Sequence, residues 1–130
     1  MVSEGDADQR LGRQERLRHN SDFQRVYREG RSFPGSLIVL FVLSAPGLVR
    51  RAGFVAGRRV GRAVERNRAR RLMREAYRRH KGLVPAEGTH VVFVARRGSG
   101  SATFPDVERD LIGLLGRVAW TNPVPPAGDS

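Results

Sequence analysis

RRVGRAVERNRARRLMREAYRR, Arg58 to Arg79, holds ten arginines and only two acids, Glu65 and Glu75, in 22 positions. The segment carries +8 of a formal net charge of +11. A helix over Val60 to His80 would sort these residues by side. Ala69, Leu72, Met73 and Ala76 follow the i, i+3, i+4, i+7 spacing and make a narrow apolar stripe that can dock on a sheet. Arg66, Arg70 and Arg74 stand at successive i+4 steps. Asn67, Arg71, Arg74 and Arg78 make an adjoining row, so the solvent side becomes one cationic surface. Like charges at this spacing destabilise an isolated helix by about a few tenths of a kcal/mol per pair. A polyanionic partner would remove that penalty. A merely solvated face would need acids four residues from the arginines, and two acids cannot supply them.

The flanking segments place this helix between strands. SLIVLFVL, residues 36–43, is a nearly continuous apolar run bounded by Pro34-Gly35 and Ala45-Pro46-Gly47, which predicts a central strand. AGFVAG (52–57) predicts a short second strand. HVVFVAR (90–96) predicts a third, after the breakers between Gly82 and Gly88. Ser21 with Gln24 has capping-box spacing and announces a first helix that stops at Gly30, with Phe23, Val26 and Tyr27 on one face. Thr103 with Asp106, and Pro105 between them, opens a last helix with Val107, Leu111, Leu114, Leu115 and Val118 on its apolar face. The order α-β-β-α-β-α describes an α+β, two-layer sandwich. Its basic helix crosses between two strands that can lie parallel, a connection that is ordinarily right-handed.

A length of 130 residues suits one domain. Residues 1–18, a basic and polar mix in which four arginines meet four acids and apolar side chains are few, are expected to form a flexible arm. Residues 19–118 form the domain, and residues 119–130, with three prolines between Thr121 and Ser130, a disordered tail. The positive field favours phosphate backbones, so nucleic acid is the leading partner class. Of the 24 basic residues only Lys81 is a lysine. Forked guanidinium donors suit bidentate phosphate contacts and base stacking. The chain has no cysteine, which excludes disulfides, thiolate metal sites and cysteine nucleophiles. No run approaches the roughly 18 apolar residues of a membrane span, and the first twenty residues lack the apolar core of a signal peptide. A soluble cytoplasmic protein without a membrane partner is expected.

No catalytic constellation emerges. His19, His80 and His90 lack ligand-like spacing, Ser36 and Ser44 lack a nucleophile elbow, and RRGSGS (96–101) lacks the ending of a phosphate-binding loop. The acids do not assemble a general acid–base pair. Phe23, Tyr27, Leu37, Val39 and Phe41 form a second set. They can line an aromatic groove in which single-stranded bases stack, or they can be ordinary core.

At Arg66-Asn67-Arg68 the sequence reaches a pattern with a name. GRRVGRAVERNRARRLMREAYR, Gly57 to Arg78, resembles the signature of the bacterial ribonuclease P protein family: a basic pair, a Gly, Arg-Asn-Arg, then further basic residues on one helix. RLRHNSDFQRVYREGRS upstream, and HVVFVAR with the final helix downstream, extend the resemblance over roughly residues 16–118. It implies a ribosomal S5-like fold with a left-handed βαβ crossover. It also implies work beside a catalytic RNA that removes the 5′ leader from precursor tRNA. Mg2+ would be held mainly by the RNA, with no organic cofactor and one protein per RNA. Arg58, Arg59, Arg62, Arg66, Asn67, Arg68, Arg70, Arg71 and Arg74 would face the catalytic RNA. Phe23, Tyr27, Val39 and Phe41 would line the cleft for the leader. Two positions depart from the pattern. Gly57 stands where many members carry Ser and so offers no hydroxyl, and Arg62 stands where Asn is common and adds a charge. A ribosomal-type structural RNA binder and a self-sufficient basic nuclease are the alternatives. The first would bind folded and random RNA alike, and the second would cleave without added RNA.

Overall fold

The computed structural model describes residues 11–120. In chain order the elements are α1 (Asn20–Glu29), β1 (Arg31–Pro34), β2 (Ile38–Val49), β3 (Arg51–Val55), α2 (Ala63–His80), β4 (Glu87–Ala95) and α3 (Phe104–Arg117). The strands make one four-stranded sheet in the order β1-β2-β4-β3. β1 with β2 and β2 with β4 are antiparallel. β3 and β4 are parallel neighbours, with Gly53 opposite Val92 and Val55 opposite Val94. A parallel pair requires a long crossover, and α2 supplies it.

Alternation along the strands divides the apolar residues between two faces. Ile38, Leu40, Val42, Ala52, Val91, Phe93 and Ala95 join α2 and α3 in the main core. α2 contributes Ala69, Met73, Ala76 and Tyr77 to it, and α3 contributes Val107, Leu111, Leu114 and Leu115. Phe54 and Phe93 stack with ring centres 5.7 Å apart, and Tyr77 leans on both at 5.8 and 5.5 Å. Burial pushes the Tyr77 phenol up to about 12, so it remains neutral among these rings. The opposite face is not bare. There α1 packs Val26 against Leu43 and Val92, together with Leu17, in a second and smaller core.

The α+β class holds, and several details differ from the sequence reading. β1 is an additional edge strand of four residues, and its exposed positions give it no apolar signature. β2 runs on through Pro46 to Val49, with its pairing to β4 shifted between Ser44 and Val49. Gly47 accommodates that irregularity with φ +85°, a left-handed conformation that suits glycine. Ser21 does not cap α1. The first turn closes on the carbonyl of His19, which accepts from the Asp22 and Phe23 N–H groups, so Ser21 lies inside the helix. Thr103 does cap α3, its Oγ1 accepting from the Asp106 N–H at 3.2 Å. Tyr77, one residue beyond the expected stripe, is fully buried, whereas Leu72 is only partly so.

The domain also reaches further at both ends. The flexible arm expected to residue 18 is packed from Leu11 onward. Leu17 is buried, its N–H donates to the Ala52 carbonyl at 3.0 Å, and Glu15 pairs with Lys81 at 2.8 Å. One buried leucine and one ion pair anchor a segment whose composition looks entirely soluble. Trp120 likewise packs on the main core and donates from Nε1 to the Leu115 carbonyl at 3.2 Å. The remainder of the expected arm (1–10) and tail (121–130) lies outside the described residues.

The turn between β1 and β2 depends on a single carboxylate. Asp110 on α3 accepts from the backbone N–H groups of Ser36, Leu37 and Ile38 at 3.2, 2.9 and 3.0 Å. Arg96 and Arg117 also hold this turn by donating to the Gly35 and Pro34 carbonyls, both at 2.6 Å. Replacing Asp110 with Ala leaves three backbone donors without their acceptor. The substitution is expected to lower stability by about 2–4 kcal/mol in urea unfolding. An unchanged midpoint would mean that water serves the turn as well as the carboxylate does.

Candidate RNA interface

β3 leads through Gly57 into a tight turn at Arg58–Val60 and then into α2. Val60 is buried and anchors the turn, while Arg58, Arg59 and Arg62 remain exposed around the start of the helix. Gly61 has φ +142°, and a side chain there would strike the Glu65 carboxylate, which lies only 2.4 Å from where a Cβ would stand. Glu65 turns back to accept from the Arg62 N–H at 2.6 Å, closing the first turn. Cations at a helix N-terminus oppose the macrodipole, and the unpaired N–H groups there favour an anion. Three arginines at this end therefore make physical sense beside bound phosphate.

Along α2 the predicted residues separate into groups. Arg66, Arg70 and Arg74 follow the β3 edge. Arg66 donates to the Gly61 carbonyl at 2.9 Å and Arg70 to the Ala56 carbonyl at 3.4 Å, while the Arg74 guanidinium lies 6.0 Å from the centre of the Phe54 ring. Arg70 also donates to Asn67 Oδ1. These contacts orient the guanidiniums and use only some of the five donors each carries. Asn67 and Arg71 are exposed on the outer side. Arg68 belongs elsewhere. Its Nη1 donates to the carbonyls of Gly100 and Ala102 at 3.0 and 2.7 Å, tying α2 to the loop before α3. Arg68, expected on the cationic face, is thus tied into the fold through Nη1. At the C-terminal end Glu75 pairs with Arg78 and Arg79 at 2.6 and 3.1 Å, so the charge of that end is offset in part. The uncompensated charge is concentrated between Arg58 and Arg74.

The aromatic set lies on the other sheet face, under and beside α1. Phe23 rests on the backbone of Gly53, where an added Cβ would come within 2.3 Å of the ring. Only glycine permits that approach. Tyr27 meets Phe41 edge-on, with ring centres 5.0 Å apart and planes at 76°. Burial raises the Tyr27 phenol above its ordinary range, keeping it neutral. Val39, Phe41, Val55 and Val94 are half-buried, and Val39 pairs with Val94, which pairs with Val55. These three valines form an apolar row that α1 leaves partly open. The row ends at Val55, the last residue of β3, three residues before Arg58 at the start of the cationic segment. Leu37 is not part of it and packs with the main core.

Sequence reasoning missed Arg16. It reaches this region from the N-terminal segment, and its charge acts on Arg74. The signal available was the adjacent Leu17, an isolated apolar residue in a basic stretch.

The ribonuclease P family model matches residues 11–119. The ribonuclease P protein component of Clostridioides difficile is 38% identical over 101 residues, spanning 78% of this chain and 89% of that one. That of Desulfovibrio desulfuricans is 40% identical over 113 residues, spanning 84% and 86%. Among solved structures, the RNase P protein of Thermotoga maritima superposes with a TM-score of 0.70 at 32% identity, covering 82% of this chain and 99% of that one. The Staphylococcus aureus RNase P protein gives 0.70 at 27% identity, covering 78% and 93%.

A small basic α+β domain with an arginine-faced crossover helix is thus an RNA-binding protein component of a ribonucleoprotein. The chain belongs to the ribonuclease P protein family. Members of that family act with the ribonuclease P RNA in processing the 5′ end of tRNA.

The division of the arginines yields a direct test. Arg68→Ala is expected to lower stability by about 1–3 kcal/mol, because it frees two carbonyls. Arg71→Ala should stay within about 0.5 kcal/mol of the parent and weaken RNA binding instead. Thermal unfolding and RNA titration of both variants distinguish the two roles, and equal behaviour would refute the division.

Proposed function

We propose that the protein grips the catalytic RNA with Arg58, Arg59, Arg62, Arg66, Asn67, Arg70, Arg71 and Arg74. In the same reading it guides the single-stranded 5′ leader of precursor tRNA over Phe23, Tyr27, Val39 and Phe41. The observation that carries this reading is that one sheet bears an arginine face with little compensating acid on one side and half-buried aromatic and valine side chains beside α1 on the other. The arginines supply long-range attraction and phosphate contacts, and the groove supplies sequence-tolerant stacking. Among the described residues no three His, Cys, Asp or Glu side chains group as metal ligands. In this reading Mg2+ is held mainly by the RNA, and no organic cofactor is required. The protein's contribution is to position substrate and neutralise repulsion between the two RNAs. One protein per catalytic RNA would suffice, since each surface occurs once on the domain. No described helix is long and apolar enough to cross a membrane. The cytoplasm, where tRNA precursors are made, is the compartment this reading places it in.

Single-turnover cleavage of a precursor tRNA at low magnesium, with ribonuclease P RNA alone, protein alone and both, tests the reading. Rescue at the mature 5′ end by the protein is expected, with no cleavage by protein alone. Arg66→Ala/Arg70→Ala/Arg74→Ala should weaken RNA binding by ~100-fold or more at near-physiological salt. Tyr27→Ala should lower affinity ~10-fold for substrates that carry a leader and leave leaderless tRNA unaffected. Equal loss for both substrates would contradict the groove. Failure to rescue an RNA that is active at high magnesium would favour a general RNA binder.

A further inference from the structure

The arginine face extends beyond α2 onto the N-terminal segment. Arg16 bridges Ala52 in the parallel sense, adding a stub of a fifth strand to the outer edge of β3. Side chains alternate across such a strand. Leu17 enters the smaller core beneath α1, so Arg16 is directed to the other face, where α2 lies. There it adjoins Arg74, whose guanidinium is held below its ordinary range first by burial and then by the charges of Arg16 and Arg70. The Nε atoms of Arg16 and Arg74 are both buried without a hydrogen-bond partner. The neighbouring acids are engaged elsewhere: Glu15 with Lys81 at 2.8 Å, and Glu75 with Arg78 and Arg79 at 2.6 and 3.1 Å. Arg70 stands one turn before Arg74 on α2, and Arg16 comes toward the same face from the β3 edge, so three positive charges share this region while its nearest acids pair with other cations. Like charges held beside one another are unfavourable, and an anion that accepts from the outer guanidinium N–H groups relieves that repulsion.

We propose that Arg16, Arg70 and Arg74 form a phosphate clamp for the backbone of the catalytic RNA, with Arg16 delivered by the strand stub at the β3 edge. This rests on the proposed function above and adds a ligand that lies outside the helix signature. A phosphate accepts from several forked guanidiniums at once, and the Arg74 guanidinium lies over the Phe54 ring at 6.0 Å. The stub is secured independently of the anion by Leu17, by the Glu15–Lys81 pair and by the Gly12 N–H donating to Glu15 at 3.1 Å. Arg16 is therefore held in position before RNA arrives.

The test is the binding of ribonuclease P RNA to the full chain over a series of salt concentrations. Arg16→Ala is expected to weaken binding ~10-fold and to flatten the slope of log K against log salt by about 0.7–0.9, one phosphate's share. Arg16→Gln keeps much of the length and polarity of the side chain but not its charge, and should flatten the slope equally. It guards against a loosened stub, as does the melting curve of each variant. Arg16→Ala combined with Arg74→Ala should lose less than the product of the single losses, since both arginines serve one phosphate. Arg13→Ala, exposed on the same segment, should stay within about twofold of the parent. Arg16 variants that keep the parental slope, while Arg74→Ala weakens binding, would overturn the clamp and leave the α2 interface standing. Loss of effect at Arg74 and in the triple α2 variant as well would overturn both.

Discussion

Everything on the cationic side depends on how firmly α2 is held to the sheet. Its apolar stripe is narrow: Ala69, Met73, Ala76 and Tyr77 are its buried residues. Two small alanines let the helix approach closely, and Met73 and Tyr77 supply the bulk. Burying a large apolar side chain contributes ~1.5–3 kcal/mol, whereas each like-charge pair on the exposed face opposes the helix by about a few tenths. Packing wins because Tyr77 leans on the stacked rings of Phe54 and Phe93, one from each parallel strand. The crossover is thereby fixed to the two strands it connects. The arginine rows inherit its rigidity, which a disordered basic tail would lack.

The two faces of the sheet divide the work through alternation in β2, β3 and β4. One set of side chains fills the core beneath α2 and α3, and the other floors the groove beside α1. Gly53 is the point at which these demands meet. With no side chain it adds nothing to the groove floor, yet it lets Phe23 lie directly on the backbone. Gly30 does the same at the end of α1, where an added Cβ would stand 2.5 Å from the Val26 carbonyl and 2.6 Å from that of Val42. α1 can lie low across part of the sheet only because both positions are glycine. The row from Val39 to Val55 remains partly open as a result.

Unsatisfied groups concentrate where an RNA partner would complete them. Elsewhere the polar inventory is well matched: Asp110 serves three N–H groups, Arg68 two carbonyls, and His80 meets Glu108 at 2.8 Å between α2 and α3. Among the described residues the buried side-chain nitrogens or oxygens lacking a partner are the Nε atoms of Arg16, Arg51 and Arg74. Two of the three belong to the cluster at the β3 edge. The charges of Arg16 and Arg74 in that cluster are the ones the proposed phosphate would neutralise.

The sequence by itself determined the charged helix, its apolar stripe, the central strands, the Thr103 cap and the Arg-Asn-Arg pattern that points to the family. These are local or periodic features, and periodicity of 3.6 or 2 is written in consecutive residues. Only the tertiary structure decided that Arg68 serves the Gly100–Ala102 loop, that Asp110 anchors a turn some seventy residues away, and that Arg16 joins Arg74. Each is a contact between segments distant in the chain, and an arginine facing a carbonyl reads the same in sequence as one facing solvent. The edge strand β1 and the packed segment from Leu11 to Leu17 escaped notice for a related reason. Their order comes from backbone pairing to a neighbour and one buried side chain, neither of which leaves a periodic trace.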